Sequence, residues 1–400
     1  MQNIVGVVAE YNPFHNGHVY HLEQTRAKVG GDCGVVAIMS GDFVQRGENA
    51  IYSKFARAEA AVRCGCDLVL ELPLPWSLAS AEGFARGAVG ILGSLGVVTH
   101  MSFGSESGDL PPLETLAQAL LDPMFPYDLK EQLQTGCSFA AARQAALEKR
   151  VGPLAKLLEQ PNNILAVEYL KAIYNLRFPI RPVPIRREGA KHDGSSESET
   201  IRSASELRTK LENGVDISRW IPEAAAEVFS RERELGRGPI PQAAVETAIL
   251  SRLRMFGPDV YASLPDAEEG LGNAVCRAAN EEPTISAVCA AAKSKRYALS
   301  RIRRMVMCAA LGVRKGMADG IPPYARVLAA NERGREILKL ASEKTGIYII
   351  SKPAACRGTT PEIEKLMALT AESHDLYVLG SPAAEERRAG SDWRHSPNMI

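Results

Sequence analysis

At 400 residues the chain has room for two or three domains of roughly 100–200 residues each. Hydrophobic residues make up 46 % and charged residues 24 %, which excludes a disordered, collagen-like or disulfide-stapled chain. Lys and Arg number 47 against 47 Asp and Glu, so the formal net charge is zero and any nucleic-acid site must be a local patch.

The opening MQNIVGVVAEYNPFHNGH has no basic n-region and no cleavage-like tail, so no signal peptide is expected. Ile4–Ala9 is a continuous apolar run, the mark of a strand covered on both faces. Val19–Val29 reads as a helix, Gly34–Met39 as a second buried strand and Lys54–Arg63 as an Ala-rich helix. Asp67–Leu72 reads as a third strand, Phe84–Leu95 as a helix and Val97–Phe103 as a fourth strand. Strand–helix alternation with short turns predicts an α/β fold with a doubly wound parallel sheet, whose ligands sit at the carboxyl ends of the strands. Gly87–Ser105 is the longest stretch without Asp, Glu, Lys or Arg, but its five glycines and polar residues exclude a membrane span.

Further on, Leu113–Leu121, Leu129–Lys149 and Ile164–Leu176 read as helices, Pro182–Arg187 as extended and Ala204–Leu211 as a helix. From about 216 to 345 nearly everything reads as helix. Ile347–Ser351 and Leu376–Leu379 look like short strands around a helix at Pro361–Leu369, and the charged residues after about 381 look loose. The reading is therefore a catalytic unit over 1–215, then a mostly helical C-terminal domain over 216–400 with a short mixed tail. The eight cysteines are scattered without a C-x-x-C pair. They read as thiols of a cytoplasmic protein, and zinc is not expected from their spacing.

Three of the seven histidines, His15, His18 and His21, follow the first strand directly. A spacing of three puts them on one side of a helix start, where free N–H groups and the dipole attract anions. With Gly17 between His15 and His18, the loop reads as a phosphate cradle. The plainer reading is a capped turn with surface histidines, and a metal reading lacks an H-E-x-x-H pattern.

The segment Tyr11-Asn-Pro-Phe-His15-Asn-Gly-His18 resembles the H-x-G-H signature of the nucleotidyltransferase superfamily. More closely, the chain resembles the bacterial tRNA(Met) cytidine acetate ligases. The blocks that carry this are VVAEYNPFHNGHVYHL (7–22), MSGDFVQRGENAIYSKFARAEAAVRCGCDLVLELP (39–73), SAEGFARGAV (80–89), FGSE (103–106), PNNILAVEYLKAI (161–173) and IRREGAKHD (185–193). The resemblance implies a Rossmann-like nucleotidyltransferase domain and a tRNA-binding helical domain. It implies an ATP-dependent ligase that activates acetate as acetyl-adenylate and acetylates N4 of the wobble cytidine of elongator tRNA(Met). ATP is then a substrate, carried with Mg2+; no membrane and no stable protein partner are implied.

Residue by residue, the resemblance makes His15 and His18 catalytic. It places Val7, Val8, Ala9, Glu10, Tyr11, Asn12, Pro13, Phe14, Asn16, Gly17, Val19 and Tyr20 along the nucleotide. Gly104, Asn162, Asn163 and Arg187 are implied as further ATP contacts. Ser203, Ser205 and Arg208 resemble the second phosphate-binding signature, whose plainer reading is an ordinary N-cap. The sequence departs from the family at Lys191 before His192-Asp193, at Glu206 and at Asn49.

Residues 283–318 contain no Asp or Glu and eight basic residues, an electrostatic footprint for a phosphate backbone. Lys293, Lys295, Arg296, Arg301, Arg303 and Arg304 are the candidate RNA contacts; the plainer reading pairs them with acids such as Asp266 or Glu268. A second possible location for RNA is Arg46, Lys54 and Arg57 near the cleft. The alternative function is a small-molecule adenylyltransferase or amide ligase of the pantothenate-synthetase type, which leaves the helical half without a task. A non-catalytic nucleotide- or RNA-binding module is a third reading, against which the intact His15/His18 pair stands.

Overall fold

The computed structural model describes residues 2–187, 200–295 and 297–400. The first half alternates as its hydrophobic pattern predicts: β1 (Ile4–Ala9), α1 (Asn16–Val29), β2 (Gly34–Ser40), α2 (Lys54–Arg63), β3 (Leu68–Leu72), α3 (Ala81–Ser94) and β4 (His100–Ser105). Three helices, Leu110–Leu121, Phe125–Leu133 and Phe139–Val151, lead to α4 (Pro161–Leu176) and β5 (Arg181–Arg186). The single helix predicted over Leu129–Lys149 is thus two helices, parted by Gly136 in a left-handed conformation. After α5 (Ala204–Glu212) comes a run of helices ending in α6 (Leu299–Leu311).

The chain then returns to the sheet with β6 (Tyr324–Ala330), β7 (Tyr348–Ile350), the long helix α7 (Pro361–Val378) and β8 (Asn398–Met399). This corrects three expectations. Tyr324–Ala330 is a strand, although YARVLAA reads as helix. All seven of its residues are buried, and an apolar run buried on both sides has no period to tell strand from helix. Leu376–Val378 closes α7 rather than forming a strand. The charged tail is docked rather than loose: Asp392 is buried and Asn398–Met399 pairs with β6.

The sheet runs in the order β8-β6-β3-β2-β1-β4-β5, with β7 also on β6. The five strands from β3 to β5 are parallel, and β6 joins β3 antiparallel. Along β2, Val36 and Ile38 share one core with Phe84, Ala88 and Leu92 of α3. Val35, Ala37 and Met39 face the other core, with Phe55, Ala58 and Ala61 of α2. Both faces are covered, so each buried Val, Leu or Ile contributes about 1.5–3 kcal/mol. The order reverses between β1 and β4, and that crevice at the carboxyl ends is where such sheets bind ligands.

The helices from Gln242 to α6 have a third core, including Ile249, Val275, Val288, Ile302 and Met305. Phe43 belongs to it too; it lies in a small hairpin that pairs Phe43–Val44 with Glu48–Asn49. The hairpin follows β2, so it is one piece of the sheet domain that meets the helical half. No helix of the described residues is long and apolar enough to cross a membrane.

Beneath the carboxyl ends lies a closed cluster of buried charges. Lys54 Nζ sits 2.8 Å from Glu71 Oε1, 2.9 Å from Asp392 Oδ1 and 4.0 Å from Asp42 Oδ2. Arg326 Nη1 lies 2.7 Å from Asp392 Oδ2 and 3.2 Å from Glu71 Oε2. His374 Nδ1 is 2.8 Å from Asp42 Oδ2. The Arg57 guanidinium donates to the carbonyls of Glu10, Ser40 and Gly41, clamping the ends of β1 and β2. Lys54 and Arg57 are fully buried, so the second possible location for RNA, as far as it used them, is overturned: these cations have no path to a phosphate backbone.

Candidate active site

The His loop is built by its own backbone. Tyr11 adopts a left-handed conformation that turns the chain sharply out of β1, a strained geometry that clusters at functional sites. The Tyr11 ring is buried against Phe14 and stands edge-on to His18 at 4.8 Å. Asn12 is buried and its Oδ1 accepts the Ile51 N–H at 2.8 Å. Val7 lies in the core, Val8, Ala9, Val19 and Tyr20 are half-buried, and Pro13 is buried. Asn16 Nδ2 donates to the carbonyls of Thr200, at 3.0 Å, and Arg219. These residues wall and orient the loop.

His15 caps α1. Its Nδ1 accepts the Gly17 N–H at 3.0 Å, while the His15 N–H is accepted by His18 Nδ1 at 3.1 Å. The two rings lie 3.8 Å apart between centroids. With both Nδ1 atoms engaged as acceptors, each neutral imidazole carries its proton on Nε2. Burial, with Arg187 adding to it, lowers the His15 pKa to about 3; burial and then the neighbouring His15 hold His18 well below 6.5. The pair therefore offers two N–H donors without charge. Gly17 has a different reason from the one expected: a Cβ there would stand 2.8 Å from the His15 ring, so the glycine makes room for the cap. His21 stands apart, its Nε2 3.0 Å from Ser102 Oγ.

Across the switch point, β4 ends in Gly104-Ser105-Glu106. The Glu106 carboxylate caps α4, accepting the N–H of Asn162 at 3.2 Å and of Asn163 at 2.8 Å, plus Asn162 Nδ2 at 2.6 Å. Asn163 is buried; its Oδ1 accepts from Ser105 Oγ and Glu106 N and its Nδ2 donates to Leu157. It shapes the loop from within, whereas Asn162 Oδ1 takes Arg187 Nη1 at 3.0 Å. The Arg187 side chain lies over Gly104, where a Cβ would stand 3.3 Å from its Cγ.

Ser203 is the N-cap of α5, accepting the Glu206 N–H at 3.2 Å, and Ser205 is exposed. Arg208, one turn further, donates from Nη1 to the Asn12 carbonyl at 3.0 Å and from Nη2 to Glu48 Oε2 at 3.2 Å. The late block thus meets the His loop. Glu48 also takes Arg303 Nη1 of α6 on Oε1 at 3.1 Å. One carboxylate in the hairpin therefore ties the His-loop cleft to the helical half. Glu48 and Glu106 were not singled out from sequence, although both lie in the family-like blocks 39–73 and 103–106.

The basic segment is less open than its sequence. Arg301 Nη2 donates to the Asp266 carbonyl at 3.0 Å and its guanidinium covers the Tyr297 ring. Arg304 Nη2 lies 3.9 Å from Asp266 Oδ2, and Arg303 is on Glu48. Lys293 and Lys295 are exposed. Arg296 and His192-Asp193 lie outside the described residues.

A family model for HIGH nucleotidyl transferases matches residues 1–392. The tRNA(Met) cytidine acetate ligase of Syntrophomonas wolfei is 38 % identical over 412 aligned residues, covering 98 % of this chain and 99 % of the relative. That of Caldanaerobacter subterraneus subsp. tengcongensis is 40 % identical, covering 94 % of each. The chain belongs to the tRNA(Met) cytidine acetate ligase family. In that family, Thermotoga maritima TmcAL has been solved bound with alpha-thio ATP, at 33 % identity and TM-score 0.91 over 100 % of this chain and 99 % of that one. The apo form of that enzyme superposes with a TM-score of 0.94 over the same shares of the two chains. The fold expected of a Rossmann-like nucleotidyltransferase with a helical half is thus the fold observed.

Proposed function

We propose that the chain is an ATP-dependent ligase for which acetate and elongator tRNA(Met) are the co-substrates, acting in the cytoplasm. An acetate oxygen attacks the α-phosphorus of ATP, the bond to the β-phosphate breaks and pyrophosphate leaves. The N4 amine of the wobble cytidine then attacks the acetyl carbonyl. The amide forms, the acyl–phosphate bond breaks, and AMP leaves as the amine gives up a proton. The observation that carries this reading is the His15/His18 pair: two neutral N–H donors, fixed in tautomer and direction, at the switch point of the sheet. Such preorganised donors stabilise the charge that builds on the pyrophosphate leaving group.

No group of three or more metal-ligating side chains occurs among the described residues. Magnesium arriving on ATP needs only one or two carboxylates besides the phosphates. Glu10, half-buried just past β1 and with one carboxylate oxygen on the Gln45 N–H, would hold it; the ion would neutralise phosphate charge. The Arg303–Glu48–Arg208 link supports RNA over a small-molecule acceptor, because it brings the helical half to the cleft. Lys293 and Lys295 are exposed cations of that half proposed for the phosphate backbone, with Arg303 as a further candidate.

Acetate-dependent ATP–pyrophosphate exchange without tRNA tests the first step, and acetyl transfer to bulk tRNA the second. Both are expected. Exchange without transfer to any tRNA points to a small-molecule acceptor and overturns the RNA reading.

A further inference from the structure

Among the described residues around the His loop, Arg187 and Arg208 are already answered by protein. His15 and His18 are neutral. Arg208 is paired with Glu48, which it shares with Arg303, and is held on the Asn12 carbonyl. Arg187 is bonded to Asn162 with Glu106 opposite. Acetate and ATP are both anions, and besides any magnesium carried on ATP their approach is helped by protein cations.

The hairpin tip supplies one. Gln45 N–H donates to Glu10 Oε1 at 3.0 Å and Gln45 Nε2 to the Ala79 carbonyl, which pins the residue before Arg46 against the end of β1. Two residues after Arg46, Glu48 grips Arg208 and through it Asn12 of the His loop. Gly47, at φ +75°, presses so closely on α6 that a Cβ would stand 2.5 Å from the Arg303 carbonyl carbon. Asn49 Nδ2 donates to the Ile240 carbonyl at 2.9 Å. Arg46 is therefore set on a rigid support, and its side chain is exposed, with no hydrogen bond or ion pair to any described residue. Its charge reaches the cleft: it opposes the proton of Arg187 and stabilises the Glu10 carboxylate against burial.

Resting on the ligase reading above, we propose that Arg46 is a further catalytic residue of acetate activation, its guanidinium meeting the polyphosphate of ATP opposite His15 and His18. Arg46 and Arg187 repel each other, and an anion bound by both relieves that repulsion. The guanidinium fork matches two phosphate oxygens at once, which an ammonium cannot do.

The test uses the full chain as Arg46→Gln and Arg46→Lys, with acetate-dependent ATP–pyrophosphate exchange measured without tRNA and tRNA binding measured against salt. Arg46→Gln is expected to lower kcat for exchange by about 100–1,000-fold, as removal of one preorganised donor does. The KM for ATP should change less than tenfold, and Arg46→Lys should recover part of the rate. The salt slope of tRNA binding should be unchanged, and thermal unfolding should match wild type because the side chain is exposed. Exchange by Arg46→Gln within twofold of wild type overturns the proposal. So does normal exchange with a salt slope reduced by about 0.7–0.9, which would make Arg46 an RNA contact. Wild-type protein without acetate-dependent exchange overturns the ligase reading along with it.

Discussion

Residues 39–57 contribute cations to two regions a few residues apart in sequence and opposite in character. Lys54 and Arg57 enter the closed cluster under the strand ends, where every cation meets a carboxylate or carbonyl and no side chain reaches solvent. Arg46 stands in the cleft above, exposed and without a protein partner among the described residues. A charge completed by its own protein holds structure; one left incomplete is available to a ligand. The His loop lies between the two, since Arg57 holds the Glu10 carbonyl from below.

The largest effect is expected in the closed cluster. Asp392→Ala leaves Lys54 and Arg326 short of an acid in a buried site, at a cost of about 3–5 kcal/mol. Thermal or denaturant unfolding measures this, and a loss below 1 kcal/mol would show that the tail is not needed to balance the cluster. The same cluster fixes an acid limit. Burial raises the Asp42 carboxyl, but His374, Lys54 and Arg57 outweigh it and hold the pKa at about 2, below the unfolded 3.8. The unfolded chain therefore binds protons first, and this stability, complete above about pH 4, is lost as pH falls towards 2. Asp42→Asn should flatten the unfolding free energy across that window.

In the cleft, His15→Ala or His18→Ala each removes one N–H donor to phosphate, about 1.5–3 kcal/mol, and should slow acetyl-adenylate formation roughly ten- to a hundredfold with the fold intact. Their lowered pKa values carry a second expectation: ring nitrogen NMR should show Nε2–H tautomers that do not titrate between pH 8 and 5. A midpoint near 6.5 would mean that the pair works as cations, closing the contrast with Arg46.

Glu48→Gln breaks the bridge between cleft and helical half. It leaves Arg208 and Arg303 facing each other and should weaken ATP binding by about 1 kcal/mol, roughly fivefold. Unchanged ATP affinity would confine Glu48 to a scaffold role. The smallest effect concerns RNA. Lys293→Ala with Lys295→Ala should lower the slope of log affinity against log salt by about 1.4–1.8 while exchange without tRNA stays normal. If Arg301→Ala with Arg304→Ala flattens the slope more than the lysine pair does, those arginines exchange Asp266 for phosphate on binding.

Much of this was legible from local pattern. The runs at Ile4–Ala9 and Gly34–Met39 read as buried strands, and the alternation after them pointed to a doubly wound sheet. The His loop was legible because its chemistry is local: cap, glycine and second histidine lie within four residues, so backbone geometry alone assembles them. Where partners are distant, local pattern was ambiguous or silent. Ala-rich β6 passed for helix because only its place beside β3 makes it a strand. Arg301, Arg303 and Arg304 read as an RNA face or as cations paired with acids such as Asp266; in space Asp266 and Glu48, 35 and 255 residues away, do pair with them. Asp392 looked like part of a solvated tail and is buried beside Lys54. By itself the sequence determined the periods, the caps and the His pair, since these depend on neighbours along the chain. Only the tertiary structure decided which charges are answered and which, like Arg46, are left for a substrate, because Coulomb partners are chosen by distance in space.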